Sequence, residues 1–274
     1  MKTLLNFLTL VIVCMGSQVS ISQNATDTKQ VTRFTEYNYM KVKPGKEEQY
    51  VKLEKAWKKI HLARKKAGKL DDWSFSRIIS PSGTSSEYDY VTRNTFIGED
   101  MYAATFTDNY FPENWQSLLT WEELDLVLRT EEFRTIVKTE TYVIRDEVWA
   151  DDSRANAKLF VVNYFNVPEG KSGEDHAKVE IDIWKPVHAA RVKAGTMKGW
   201  GFLEMVLPFG ASLSYNSITI DGYTDMRQYL RPWTDEYFKT AHPGKDMNAL
   251  FKQTQESCTL VKGELRMMVD RLSW

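Results

Sequence analysis

The feature that most restricts how this chain can fold is that it is written twice. Residues 57–68 read WKKIHLARKKAG and residues 184–195 read WKPVHAARVKAG, so Trp57, Lys58, His61, Ala63, Arg64, Lys66, Ala67 and Gly68 recur 127 positions later. The same offset continues without a gap through Trp73/Trp200, Phe75/Phe202, Pro81/Pro208, Gly83/Gly210, Tyr88/Tyr215 and Thr92/Thr219. Upstream, NYMKVKPGK from Asn38 matches NYFNVPEGK from Asn163 once the second copy is given two extra residues before its helix. A long self-match at fixed period marks one supersecondary unit used twice. The copies span 31–150 and 158–274, and the polar, non-periodic DDSRANA of 151–157 is the expected linker.

Each copy shows the same order of elements. Residues 34–42, rich in aromatic and β-branched side chains, read as a strand broken by Pro44-Gly45. Residues 47–67 have helical periodicity, with Gly68 where a helix C-terminus belongs. Residues 73–80 and 88–96 form a hairpin across Pro81-Ser82-Gly83. A helical region follows, in which Thr120-Trp121-Glu122-Glu123 has capping-box spacing, and 141–149 is a closing strand. The second copy repeats this as 159–167, 174–194, 200–207, 215–223, a helical stretch to about 256 broken by Pro243-Gly244, and 259–272. Strand, helix, hairpin, helix, strand is the split βαβ, or ferredoxin-like, order. One such sheet carries helices on one face and leaves the other bare, and two copies can bury those bare faces against each other. The expected fold class is therefore α+β: two tandem ferredoxin-like repeats closed into one intrachain barrel. The rival arrangement is two independent repeats whose open faces are covered by another chain.

The repeat resembles the dimeric α+β-barrel superfamily, which includes antibiotic-biosynthesis-monooxygenase-like, EthD-like and NIPSNAP-like proteins. The resemblance covers both copies and rests on element order together with W-x3-H-x2-R-x2-A-G followed by a strand Trp. That motif is not an assigned catalytic signature, so the resemblance implies a fold far more than an activity.

Trp57, His61 and Arg64 are spaced i, i+4, i+7 and share one helical face with Tyr50 and Leu53. An apolar stripe of this kind faces the sheet and carries the imidazole and guanidinium inward; Trp184, His188 and Arg191 repeat the arrangement. Two readings follow. His61 and His188 move a proton while Arg64 and Arg191 hold an anion, or both pairs only tie the helix to its surroundings. Tyr88 and Tyr215, placed on one face with Tyr90, Thr92, Asn94 and Phe96 in the first copy, are candidate ligand contacts beside Trp57 and Trp184. Arg77 and Glu204 occupy matching positions with opposite charge and could meet about a pseudo-twofold axis.

A formal net charge of −1 gives no electrostatic case for nucleic acid. Lys2 followed by the apolar run 4–15 and small residues reads as a signal peptide over 1–22, which implies a periplasmic or secreted protein. Cys14 lies in that run, which leaves Cys258 alone and read as a buried small residue. There is no CxxC, HExxH, GxSxG, Walker or Rossmann pattern, and His176 with Glu180 is an isolated i, i+4 pair, so neither a metal nor a cofactor is expected. Haem enzymes also use tandem ferredoxin-like repeats, but nothing in the spacing singles out His61 or His188 as an iron ligand. The expected partner is a small molecule, with the chain a monomer or homodimer and no later segment apolar enough to span a membrane. The expected function is cofactor-independent oxygenase or isomerase chemistry, or else ligand binding without turnover or a purely structural role.

Overall fold

The computed structural model describes residues 31–274 apart from 84–85, 108–109, 151–155, 211 and 273–274. The leader over 1–22 and most of the linker lie outside the described residues. The first repeat contains β1 (Arg33–Val42), α1 (Glu47–Lys66), β2 (Asp72–Ser80), β3 (Tyr90–Ile97), α2 (Gly98–Ala103), α3 (Trp121–Leu128) and β4 (Arg134–Trp149). The second contains β5 (Leu159–Asn166), α4 (Gly173–Val179), a π-helical turn (Glu180–Trp184), α5 (Lys185–Lys193), β6 (Gly199–Leu207) and β7 (Ser217–Tyr223). It ends with α6 (Met226–Tyr229), α7 (Glu236–Ala241), α8 (Met247–Ser257) and β8 (Thr259–Arg271).

Helix α1 has Glu47 and Glu48 in its first turn and Arg64, Lys65 and Lys66 in its last, each charge opposing the helix dipole. It stops where Gly68 takes the left-handed conformation (φ 68°), and Gly195 does the same after α5. The buried face of α1 holds Tyr50, Leu53, Ala56 and Ile60, which pack on Trp73, Phe75 and Phe96 of the sheet.

The strands close into a barrel in the order β1-β3-β2-β8-β5-β7-β6-β4, with every pair antiparallel. Each repeat supplies a four-stranded sheet, and the seams are β2 with β8 and β4 with β6. Strand β4 spans both jobs: residues 134–143 pair with β1 and residues 141–149 pair with β6. The two repeats thus form one compact unit, Val31–Trp274. Closure removes the unpaired edges that a lone repeat would expose. No helix of the described residues is long and apolar enough to cross a membrane.

The barrel interior is apolar and aromatic but is crossed by a buried polar network with twofold pseudo-symmetry. Tyr39 and Tyr164, equivalent residues of the two repeats, meet hydroxyl to hydroxyl at 3.3 Å. Around them Lys138, Glu140 and Tyr215 mirror Lys262, Glu264 and Tyr88. Lys262 Nζ lies 3.0 Å from Glu264, and Lys138 Nζ lies 3.0 Å from Glu140. Tyr88 donates to Glu264, and Tyr215 donates to Glu140. The symmetry breaks at one place: Tyr142 donates to Glu140 at 2.8 Å, while its counterpart Arg266 bonds Glu264 at 2.9 Å. Burial alone would raise the Glu264 carboxyl, but Arg266 and Lys262 outweigh it and hold the group at about 2.

Candidate functional site

His61, Arg64 and His188 are buried under their helices, on the inward face that the spacing predicts, and Arg191 is half-buried. His61 is stacked between Trp57 and Trp73, with ring centroids at 5.9 and 5.4 Å. Arg64 Nη1 lies 3.2 Å from His61 Nδ1, and the guanidinium carbon sits 3.7 Å above the Tyr110 ring. A guanidinium only donates, so Nδ1 accepts and the ring carries its proton on Nε2. Desolvation, reinforced by the Arg64 charge, holds the His61 pKa well below its ordinary value. His188 is the same: 3.3 Å from Arg191, stacked with Trp184 at 6.0 Å and Trp200 at 5.5 Å, and pushed down to about 3 by burial and then by Arg191. Each imidazole is therefore a neutral hydrogen-bond donor near pH 7.

The two clefts differ in what fills them. In the second repeat, Trp184 donates to Thr254 at 3.0 Å and packs against Phe238, Phe251 and Trp233. Trp233 also covers Arg191, at 4.7 Å, and Arg191 donates to the Tyr223 hydroxyl at 3.2 Å. The first repeat keeps a cleft lined by Glu36, Asn38, Glu54, Trp57, His61, Trp73, Asn94, Tyr110 and Arg134, among others. Five buried polar atoms of this neighbourhood have no hydrogen-bond partner in the protein: Trp57 Nε1, Trp73 Nε1, Arg64 Nε, Arg134 Nε and Asn94 Oδ1. Buried polar groups are almost always satisfied, so these five call for a partner from outside the protein, water or a ligand. Four of the five are donors.

Glu54, one turn before Trp57, is the titratable group of the cleft. It is 3% exposed, and burial lifts its pKa to about 7 against the opposing pull of Arg134 and Tyr50. The sequence gives little sign of it, because a Glu in a Lys-rich helix looks like a surface residue. Only its position on the Tyr50–Trp57 face marks it.

Two placements differ from expectation. Tyr88 and Tyr215 do not line the helix–sheet clefts. They lie inside the barrel, because the chain enters β3 and β7 only after them and they fall on the opposite face from Tyr90, Thr92, Asn94 and Phe96. Arg77 and Glu204 do not meet, because β2 is seamed to β8 and β6 to β4. Arg77 faces Glu47 at 3.5 Å and Glu204 bonds Arg145. A second cavity opens at the end of the barrel, lined by Tyr37, Ser74, Arg93 and Arg266 among others. Three of its four arginines have acids beside them, Arg33 with Glu147, Arg93 with Asp72 and Arg266 with Glu264, while the fourth, Arg271, donates to the Ala157 carbonyl.

No family model and no curated protein matches the sequence. Solved structures do. A Fusobacterium nucleatum protein provisionally named a monooxygenase superimposes with a TM-score of 0.51 at 11% identity, over 88% of this chain and 94% of that one. A Lactobacillus acidophilus protein of the same provisional name gives 0.48 at 12% identity, over 88% and 94%. An anthrone oxidase-like protein gives 0.47 at 11% identity, over 89% and 94%. The match at 0.51, with the closed eight-stranded barrel, shows the fold expected from the duplication, a dimeric α+β barrel. This chain builds the whole barrel from two tandem repeats, with the open cleft in the first and a packed one in the second.

Proposed function

We propose that the protein acts after export on a small carbonyl or phenolic compound bound in the first-repeat cleft, and that Glu54 takes its proton. The observation that carries this reading is that four buried donors without a protein partner belong to the same neighbourhood as one carboxyl that burial lifts to about 7. A C–H next to a carbonyl loses its proton to the Glu54 carboxylate, and the electron pair moves onto the carbonyl oxygen. The N–H groups of Arg64, Trp57 and Trp73 stabilise that enolate oxygen, with His61 Nε2–H as a further donor. His61 serves as an electrophile because its Nδ1 is already occupied by Arg64. Return of the proton to another carbon makes the protein an isomerase. Attack of the enolate on dissolved dioxygen makes it an oxygenase, a reading favoured by the provisional name of the Fusobacterium protein.

Two probes test this. The anion of 4-nitrophenol imitates an enolate. It should bind with a shifted visible absorption, bind more tightly to Glu54→Gln and fail to bind Arg64→Ala. The α-hydrogens of the aromatic ketone 2-tetralone should exchange in deuterated water with wild type, faster as pH rises through about 7, and not with Glu54→Gln. Phenolate binding without hydrogen exchange would reduce the protein to a binding module. Binding at the barrel end, abolished by Arg93→Ala and untouched by Arg64→Ala, would move the site. Export is checked by the mass of the mature protein recovered from the periplasm or medium.

A further inference from the structure

The helical segment of the second repeat carries one residue more than α1. Tyr50 and Glu54 correspond to His176 and Glu180, 126 positions on, whereas Trp57 corresponds to Trp184, 127 positions on. The extra residue is absorbed by the π-helical turn Glu180–Trp184. Such turns arise from single insertions and concentrate at functional sites. The strand registers complete the comparison: Val42 pairs with Arg134 and Asn166 with Thr259, and Met40 pairs with Tyr90 as Phe165 does with Ser217. So where the first repeat has Tyr50, Glu54, Arg134 and Tyr90, the second has His176, Glu180, Cys258 and Ser217.

That exchange brings three metal-ligating side chains together. One donor atom from each of His176, Glu180 and Cys258 lies within 4.8 Å of the other two, and the residues are 0%, 3% and 5% exposed. His176 Nε2 is 3.2 Å from the Glu180 carboxylate. On the other side of the ring, Nδ1 is 3.1 Å from Ser217 Oγ. A hydroxyl that accepts the Nδ1 proton leaves the Nε2 lone pair free to face an ion, which is the usual second contact of a metal-bound histidine. Phe165 and Phe202 wall the ring at 5.3 and 5.1 Å. We propose that His176, Glu180 and Cys258 form a mononuclear site for zinc, bound through Nε2, a carboxylate oxygen and the thiolate, with a water in the fourth position and Ser217 as the positioning residue. Thiolate, imidazole and carboxylate together suit zinc over magnesium or calcium. Bond lengths of about 2.0–2.3 Å require the donors to close in by roughly 1 Å.

The test uses untagged mature protein, dialysed against excess zinc and then metal-free buffer, with metal counted by elemental analysis. One zinc per chain is expected in wild type and none in Cys258→Ser. Ser217→Ala should weaken zinc binding about 10- to 100-fold. Cobalt(II) added to the metal-free protein should give a thiolate charge-transfer band in the near ultraviolet and the intense visible bands of a tetrahedral ion. The cobalt spectrum needs only wild-type protein, so a variant that fails to fold does not block the test. A sub-stoichiometric zinc content with a cobalt spectrum lacking the thiolate band overturns the proposal, and so does a folded Cys258→Ser variant that keeps its zinc.

Discussion

Glu54 and Glu264 are both buried carboxylates, and their surroundings drive them in opposite directions. Glu54 is raised to about 7, so between pH 4.5 and 7 the folded chain keeps a proton that the unfolded chain has released. Stability from this group is complete below pH 4.5 and is lost as pH rises through 7. Glu54→Gln should therefore gain on wild type by about 3 kcal/mol between pH 4.5 and pH 8, read from paired urea titrations. Glu264 is lowered to about 2, so its contribution is present above pH 4.5 and disappears as pH falls through 2. Glu264→Gln strands Arg266 in the barrel and should cost about 3–5 kcal/mol at pH 7. A neutral-pH unfolding midpoint equal to that of wild type would show that the network is not stabilising. The His61–Arg64 and His188–Arg191 pairs were legible from spacing alone, because helical periodicity fixes which face a residue occupies. Glu54, Glu264 and Arg266 were not, because a charged residue reads as solvent-exposed until its burial is seen.

Strands and helices followed the hydrophobic pattern closely, and the exceptions have local causes. The first half of β4 was hidden because its inward residues are Lys138 and Glu140, which belong to the polar network and break the expected alternation. The π-helical turn was hidden because an insertion can be placed in a loop or in a helix with equal ease on paper. The end of β4 makes a sharper demand. A Cβ on Gly199 would lie 2.0 Å from Cε3 of Trp149, and one on Gly222 would lie 2.7 Å from its Cζ3, so the indole rests flat on bare backbone. Gly199→Ala should displace that ring and destabilise the β4–β6 seam by about 1–3 kcal/mol. A change in near-ultraviolet circular dichroism, together with a lower denaturation midpoint, is the expected pair of signals.

At the scale of the molecule, the seams make each repeat dependent on the other, since β4 and β8 each pair with a strand of the opposite half. Residues 31–150 and 158–274 expressed separately should aggregate or self-pair, while co-expression should return a soluble one-to-one complex. Two monomeric, cooperatively folded halves would contradict the barrel as the folding unit. That the halves would close over each other was readable from the duplication; how they would seam was not, because strand edges carry little sequence signal.

The Tyr39–Tyr164 contact marks what fusion has made available. In an ancestor assembled from two identical subunits, that contact would be one residue touching its own copy, and any change on one side would be imposed on the other. Joining the subunits into a single gene released them from that obligation. One half could keep an open groove while the other filled its own and, beside a glutamate common to both, came to hold a histidine and a cysteine where its twin has a tyrosine and an arginine.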